Sequence, residues 1–197
     1  MTSDIVIGVV ARTGSAVAVA VSGPAAAPRF LARREIELVP EGLAAQPYHA
    51  AAEMDLAAAA ELIARVEAAA ENAAAAGLRA LSEAGLSETG LSEAGPAGAV
   101  RAVAVVVKPV AVPGDLAGVL RSHAWMHAAE GVLYRQAVLA AATDCGWTAR
   151  AVEQSALPDA VRALAALGQA AGRPWRRIEK DAARAALTQL SGQAGRR

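Results

Sequence analysis

The order of secondary-structure elements constrains the fold of this chain more than any single motif. Three short apolar segments, 5–11, 17–21 and 30–39, are separated by turn residues, so they predict three strands joined in two hairpins. A long helix with one apolar stripe is predicted over 55–76, with Asp55 as its N-cap. The chain is therefore expected to begin with an antiparallel meander that leads into a helix.

The second half of the sequence alternates strands with helices. The near-continuous valine run 100–107 is typical of a central strand buried on both faces. A helix is predicted over 113–144, with Gly146 ending it, and a short strand over 147–152. Two more helices complete the order β-β-β-α-β-α-β-α-α. This order predicts an α/β protein of three layers, in which a mixed five-stranded sheet lies between helices.

Length and charge predict one domain without a strong global attraction to nucleic acid. The 197 residues suit a single domain over 1–197. A Leu-Ser-Glu-Ala/Thr-Gly pentapeptide occurs three times in a row, so we expect 81–96 to be a low-complexity insertion. We also expect 191–197 to be a frayed tail. The formal net charge is +0, which makes nucleic acid a less favoured partner, although a local basic patch is compatible with it.

The hydrophobic pattern predicts neither a membrane segment nor a secretory leader. A membrane helix needs about 20 uninterrupted apolar residues, and no run reaches that length. The first residues lack the basic region of a signal peptide, so a cytoplasmic location is expected. The bias towards Ala, Gly and Arg is typical of a GC-rich bacterial genome. The single Cys145 cannot form an intrachain disulfide, and we expect it to be a small buried apolar side chain.

One helix face carries the side chains with the clearest chemical potential. His123, His127 and Glu130 are spaced by four and three residues, so they project from the same side of a helix. Two histidines at this spacing can bind one metal ion, and a carboxylate one turn later can bind it too or orient an imidazole. The chain has one further histidine, His49, in the stretch Gln-Pro-Tyr-His. The predicted site residues are Arg34, Tyr48, His49, His123, His127 and Glu130, with Arg33 as an alternative to Arg34.

Three interpretations of this cluster stay open at the level of sequence. The first is a transition-metal site made by the three histidines. The second is a metal-free polar pocket, and the third is an ordinary polar helix surface. The cluster is not a zincin motif, because Ala124 follows His123 where that motif has its general-base glutamate. If the site is catalytic, His127 is the candidate general acid or base and Glu130 the residue that orients it.

The element order resembles the ribonuclease-H-like superfamily, and within it the Holliday-junction resolvase branch. Residues 5–14 are similar to the first hairpin of that branch, whose first strand carries an aspartate soon after a glycine; here Val10 stands at that place. The strand that ends with a carboxylate in the family here runs into Lys108-Pro109. Asp159 is the only acid predicted near a catalytic position. Two-metal phosphoryl transfer needs several carboxylates, so these departures imply that Mg²⁺-dependent nuclease activity is absent.

The chain resembles still more closely a set of bacterial proteins of the same topology to which no activity is attached. The shared features are the strand 33–38, the Gln-Pro-Tyr-His stretch 46–49 and the His-x-x-x-His-Ala-x-Glu-Gly segment 123–131. These shared motifs identify the set of proteins, but they do not indicate a reaction or a ligand.

Three hypotheses for function follow. The first is a non-nucleolytic ligand-binding or regulatory module whose pocket takes a small anionic or nucleotide-like ligand. The second is a hydrolase or other metalloenzyme that uses the histidines and Glu130. The third is a structural or homo-oligomeric role, in which an alanine face of the long helix contacts a partner. The residues of that face are Ala57, Ala60, Ala64 and Ala68.

Overall fold

The computed structural model describes residues 4–88 and 99–191, which form five strands, six α-helices and one turn of 3-10 helix. In chain order the elements are β1 (Ile5–Arg12), β2 (Ser15–Ser22), β3 (Arg29–Glu37), α1 (Pro47–Ala50), α2 (Leu56–Glu88), β4 (Val100–Val107), α3 (Leu116–Leu120), α4 (His123–Asp144), β5 (Thr148–Glu153), the 3-10 turn Gln154–Ala156, α5 (Val161–Ala171) and α6 (Arg177–Ser191).

The strands form one mixed sheet in the order β3-β2-β1-β4-β5. The pairs β1–β2 and β2–β3 are antiparallel, as the two predicted hairpins require. The pairs β1–β4 and β4–β5 are parallel, and each is linked by a crossover that contains helix. The predicted α/β class and mixed five-stranded sheet are confirmed. β4 is buried along nearly all its length because helices cover both of its faces.

Alternation along β1 sorts its side chains between two helical layers. Ile5, Ile7 and Val9 belong to the core under α2 and α4. Val6 belongs to a second core under α5 and α6. Gly8 lies on this second face, where the backbone of α6 comes so near that an added Cβ would be 1.8 Å from the carbonyl oxygen of Ala182. Helix α6 therefore packs on the middle of the sheet only because residue 8 has no side chain.

The first long helix is longer than predicted. We expected it to end near residue 76, but α2 continues to Glu88, and Leu78 and Leu81 are both buried in the core. Its N-cap is as predicted, because an Asp55 carboxylate oxygen accepts hydrogen bonds from the backbone N–H of Ala57 and Ala58 at 3.1 and 3.0 Å. The apolar spacing of the helix continues into the pentapeptide repeat at Leu81, so this part of the repeat is helical despite its low complexity. Of the predicted insertion 81–96, residues 89–96 lie outside the described residues, as do residues 192–197 of the predicted tail.

The predicted helix over 113–144 is two helices. Asp115 caps α3 by accepting a hydrogen bond from Gly118 N at 2.7 Å, and Ser122 then takes an extended conformation before α4 begins. Gly146 follows α4 with a φ of 78°, as its predicted role at the helix end requires. None of the described helices combines the length and the apolar character that a bilayer span requires.

Candidate metal centre

The segment before α1 and the short helix α1 itself bring His49 to the start of α4. Pro47 opens α1, where its missing N–H does no harm and its fixed φ suits a first helical residue. The Tyr134 hydroxyl on α4 donates a hydrogen bond of 2.6 Å to the carbonyl oxygen of Ala45, just before α1. Helix α1 packs against α2, α3 and α4. Its position is therefore fixed by α4, the same helix that carries the other two histidines.

The first two turns of α4 separate a buried side from an accessible side. Met126 and Ala129 are buried in a small cluster with Val119 of α3. His123 and His127 are exposed, while Glu130 is fully buried at 0% relative exposure. A buried acid thus lies directly beneath a pair of accessible imidazoles.

All three histidines of the chain converge within this arrangement. One ligand atom from each of His49, His123 and His127 lies within 4.8 Å of the other two. The Nε2 atom of His49 is 3.1 Å from Nδ1 of His123, and the Nε2 atoms of His123 and His127 are 3.0 Å apart. These two contacts use different nitrogens of His123, so one ion could take only one of them, and its three ligand atoms would lie within the 4.8 Å span.

Glu130 is hydrogen-bonded to the imidazole of His49 and lies within ion-pair distance of the imidazole of His127. Its Oε1 atom accepts a hydrogen bond of 2.8 Å from Nδ1 of His49, and it also accepts from the His49 backbone N–H at 3.4 Å. Its Oε2 atom is 3.6 Å from Nδ1 of His127 and has no hydrogen-bond partner among the described residues. Donation from Nδ1 leaves the lone pair on Nε2, so the carboxylate selects the tautomer whose Nε2 faces the shared space.

Tyr48 links the histidine cluster to a neighbouring cavity. Burial raises the pKa of its phenol, and the carboxylates of Glu67 and Glu130 raise it further. Tyr48 lines a cavity of about 370 Å³ between α2, α3 and α4, together with Glu67 and Asp115. Its lining includes neither Lys nor Arg, so an anionic ligand would find no basic side chain there.

Arg33 and Arg34 of β3 make no hydrogen bond or ion pair with the three histidines in the described part of the chain. Arg33 donates hydrogen bonds to the carbonyl oxygens of Gly172 and Arg173 at 3.1 and 2.7 Å, and also to that of Pro174. Arg34 lines a small cavity of about 130 Å³ with Arg33 and residues of the α5–α6 region. The contribution of Arg34 to the histidine pocket therefore stays a prediction. β3 is an edge strand, and Arg33 binds the connection between α5 and α6.

The positions that correspond to the acids of the nuclease family carry an apolar residue, a lysine and an aspartate that lies near an arginine. Val10 packs against the apolar clusters beneath α6, and Lys108 is exposed after β4. Asp159 is 92% exposed and 3.6 Å from Arg184.

Sequence reasoning missed two buried acids on α6. Glu179 accepts two hydrogen bonds from the Arg176 guanidinium, and Asp181 pairs with Arg184 at 3.3 Å. Burial alone would raise the pKa of Glu179, but the hydrogen bonds from Arg176 outweigh it, and the pKa is lowered. Each acid is three residues from its arginine, and this spacing was the sequence feature that could have identified the two pairs.

Alkaline conditions are expected to weaken the anchor of α1. Burial, and then the charge of Glu130, raises the pKa of Tyr134 from 10.0 to about 12. Because the folded value is the higher one, this group's contribution to stability is complete below pH 10 and is lost as the pH rises towards 12. Tyr134→Phe should lower the unfolding free energy by about 1 kcal/mol at pH 8, through loss of the hydrogen bond to Ala45.

The measurement is urea unfolding of both proteins from pH 8 to 11.5. The difference between wild type and Tyr134→Phe should shrink above pH 10, since lysines and arginines titrate equally in both. A difference that stays constant with pH would contradict the role given to the phenol.

Comparison with solved structures identifies the fold of the chain. The structure of T. thermophilus RuvC in complex with a Holliday junction substrate matches at 18% identity with a TM-score of 0.53, covering 98% of this chain and 96% of that one. A second Thermus thermophilus RuvC structure matches at 19% identity with a TM-score of 0.49, covering 97% of this chain and 96% of that one. No family model matches the sequence, and no curated protein does. The protein therefore has the ribonuclease-H-like fold of RuvC over nearly its whole length.

Proposed function

We propose that the protein binds one transition-metal ion through His49, His123 and His127 and uses it as a non-nucleolytic, hydrolase-type centre. The observation that carries this proposal is the convergence of three imidazole nitrogens within 4.8 Å of one another. A metal-free pocket gains little from such convergence, because neutral imidazoles at hydrogen-bond distance satisfy only each other. A metal ion satisfies all three at once.

The donor set indicates the kind of metal and its chemistry. Imidazole suits Zn²⁺, Ni²⁺ and Co²⁺, whereas Mg²⁺ prefers oxygen ligands. Three protein ligands leave one tetrahedral position open, as in catalytic zinc sites, where a bound water becomes a nucleophile near neutral pH. Glu130 would act behind the ligands by fixing the imidazoles of His49 and His127. A small anionic ligand would bind at the open position, where the metal would supply the positive charge.

The test is metal loading of the full chain, purified without a polyhistidine tag. After exposure to Zn²⁺ and gel filtration, one ion per chain is expected by elemental analysis. Co²⁺ in its place should give the strong visible absorption of a tetrahedral site. A chain that stays metal-free yet is stabilised by phosphate-containing ligands would favour the alternative of a binding module, and would overturn the proposal.

Replacing Glu130 by Gln should weaken metal binding by about 10- to 100-fold while keeping the three ligands in place. The amide preserves side-chain size but removes the negative charge that lies beside Nδ1 of His49 and Nδ1 of His127. Competition against a chromophoric zinc chelator measures the affinity. Glu179→Gln is the matched control, since Glu179 is also a buried helical glutamate but lies on α6. Equal affinity in Glu130→Gln and wild type would remove Glu130 from the site.

We also predict that the chain does not cut a four-way DNA junction in the presence of Mg²⁺. RuvC was captured with such a junction, but here Asp159, Glu179 and Asp181 are each within ion-pair distance of an arginine. Arginine partners leave these carboxylates less able to hold the two cations that phosphoryl transfer needs. The assay is gel separation of a labelled junction, with RuvC as the positive control. Cleavage that disappears in Asp181→Asn would contradict the prediction.

Homo-oligomerisation stays a separate prediction. The alanine face of α2 is exposed at all four positions, Ala57, Ala60, Ala64 and Ala68, as an interface in a dimer would require. Sedimentation velocity of the wild type and of Ala64→Glu distinguishes a dimer through this face from a monomer.

A further inference from the structure

We propose that a second site, a cleft between α5 and α6, binds a small organic carboxylate with an apolar body. The cleft has a volume of about 480 Å³, which is within the range of about 300 to 1,000 Å³ for small-molecule sites. Val161, Leu164 and Trp175 give it an apolar wall, and Gln169, Lys180 and Arg184 give it polar groups. None of these residues belongs to the histidine cluster, so the proposal is independent of the metal centre.

Two residues of the cleft wall carry buried donors without acceptors. The indole Nε1 of Trp175 and the Nε of Arg184 are both inaccessible to solvent and have no hydrogen-bond partner among the described residues. Unpaired buried donors are rare, so two on residues of one cavity wall are unusual. Neither atom is open to the cleft, so a ligand oxygen would pair with them only after the two side chains turn on binding.

The charges favour an anion over a neutral ligand. Lys180 and Arg184 line the cleft with a single carboxylate, Asp159. The Asp159 side chain is 92% exposed and lies 3.6 Å from Arg184, which is a loose, solvent-screened contact. A ligand carboxylate can take the place of Asp159 beside Nη2 of Arg184. The other terminal nitrogen, Nη1, keeps its contact with Asp181 at 3.3 Å.

The shape adds the requirement for an apolar body. Val161 is 67% exposed, although it is a large aliphatic residue at the start of α5. Trp175 meets Phe30 edge-on with ring centroids 6.4 Å apart, which keeps the indole in place as a flat surface. A flat ring beside Trp175 would cover Val161 and direct its carboxylate towards Lys180 and Arg184.

The experiment uses the full chain, freed of metal by EDTA, with 2-naphthoate as the probe and uncharged 2-naphthamide as its isostere. Calorimetry should show naphthoate binding at least about tenfold more tightly than naphthamide, as expected for a charge-assisted contact. Asp159→Asn should tighten naphthoate binding by about threefold or more, because the competing carboxylate loses its charge. Lys180→Gln should weaken it by about tenfold. Arg162→Gln, an exposed charge change on α5 outside the cleft, should leave it unchanged.

The location is checked by tryptophan fluorescence. Quenching by naphthoate should persist in Trp125→Phe and disappear in Trp175→Phe. Equal affinity for naphthoate and naphthamide would overturn the proposal, as would an affinity that neither Asp159→Asn nor Lys180→Gln alters. Because the protein is metal-free in this experiment, these outcomes do not depend on the histidine centre.

Discussion

His127→Ala should lose stoichiometric metal binding, with an affinity at least about 100-fold below that of the wild type. Loss of a residue that only orients a ligand weakens metal sites by 10- to 100-fold, and loss of a ligand itself should exceed that range. Two imidazoles would remain, and Glu130 would lose one of the two groups it faces. The readouts are zinc content after gel filtration and the disappearance of the tetrahedral Co²⁺ spectrum.

The chain offers unusually clean controls for this experiment. It contains no histidine outside the cluster, so residual binding in His127→Ala cannot come from another imidazole. Trp125→Ala removes a ring that is 38% exposed on the same turn of α4 and should leave metal binding intact. If His127→Ala still bound one ion with wild-type affinity, the three-histidine centre would be wrong. His123→Ala and His49→Ala should behave in the same way, since each supplies one of the three ligands.

Gly8→Ala should lower the unfolding free energy by about 3 kcal/mol, because overpacking a tight core position forces the backbone to shift. The new Cβ would be 1.8 Å from the carbonyl oxygen of Ala182 and 2.8 Å from the backbone nitrogen of Ala186. Both atoms belong to the backbone of α6, so no side-chain rotation relieves the clash. Helix α6 would have to move away from β1, β2 and β4, all of which it covers.

Urea unfolding followed by circular dichroism measures this effect. Gly114→Ala is the control, because no atom lies within 4 Å of an added Cβ there and the change should stay within about 0.5 kcal/mol. Metal affinity should be unaltered in folded Gly8→Ala, since the histidines and α6 lie on opposite faces of the sheet. A Gly8→Ala protein as stable as the wild type would show that α6 does not pack as described.

The candidate centre was only partly predictable from sequence. The spacing of His123, His127 and Glu130 on one helix face follows from helical geometry alone, because residues four and three apart share a side. In the sequence, only the scarcity of histidine indicates that His49 joins this face. Its hydrogen bond to Glu130 depends on where α1 packs. The sequence also predicts Arg34 at the centre. It does not specify which helical connection lies against the edge strand β3, and that packing determines the partners of Arg33.

The acids of α6 show the same limit. The charged run 176–181 is typical of a solvated helix face, yet Glu179 and Asp181 are both buried with arginine partners. The burial of these two acids depends on how α6 packs on the sheet. Gly8 permits this packing, because without a side chain it lets the helix backbone approach closely. The residue that sets this packing is about 170 positions away along the chain, which is why no local pattern reports it.

By itself, the sequence determined the strands, the hairpins and the mixed sheet, because alternating and continuous apolar runs encode local geometry and burial. It also placed two imidazoles and a carboxylate on one side of α4. Only the tertiary structure decided that His49 completes the set, that Arg33 binds the connection between α5 and α6, and that α5 and α6 enclose a cleft. These features depend on contacts between segments distant in sequence, whose free energies are settled by packing of the whole chain rather than by any one segment.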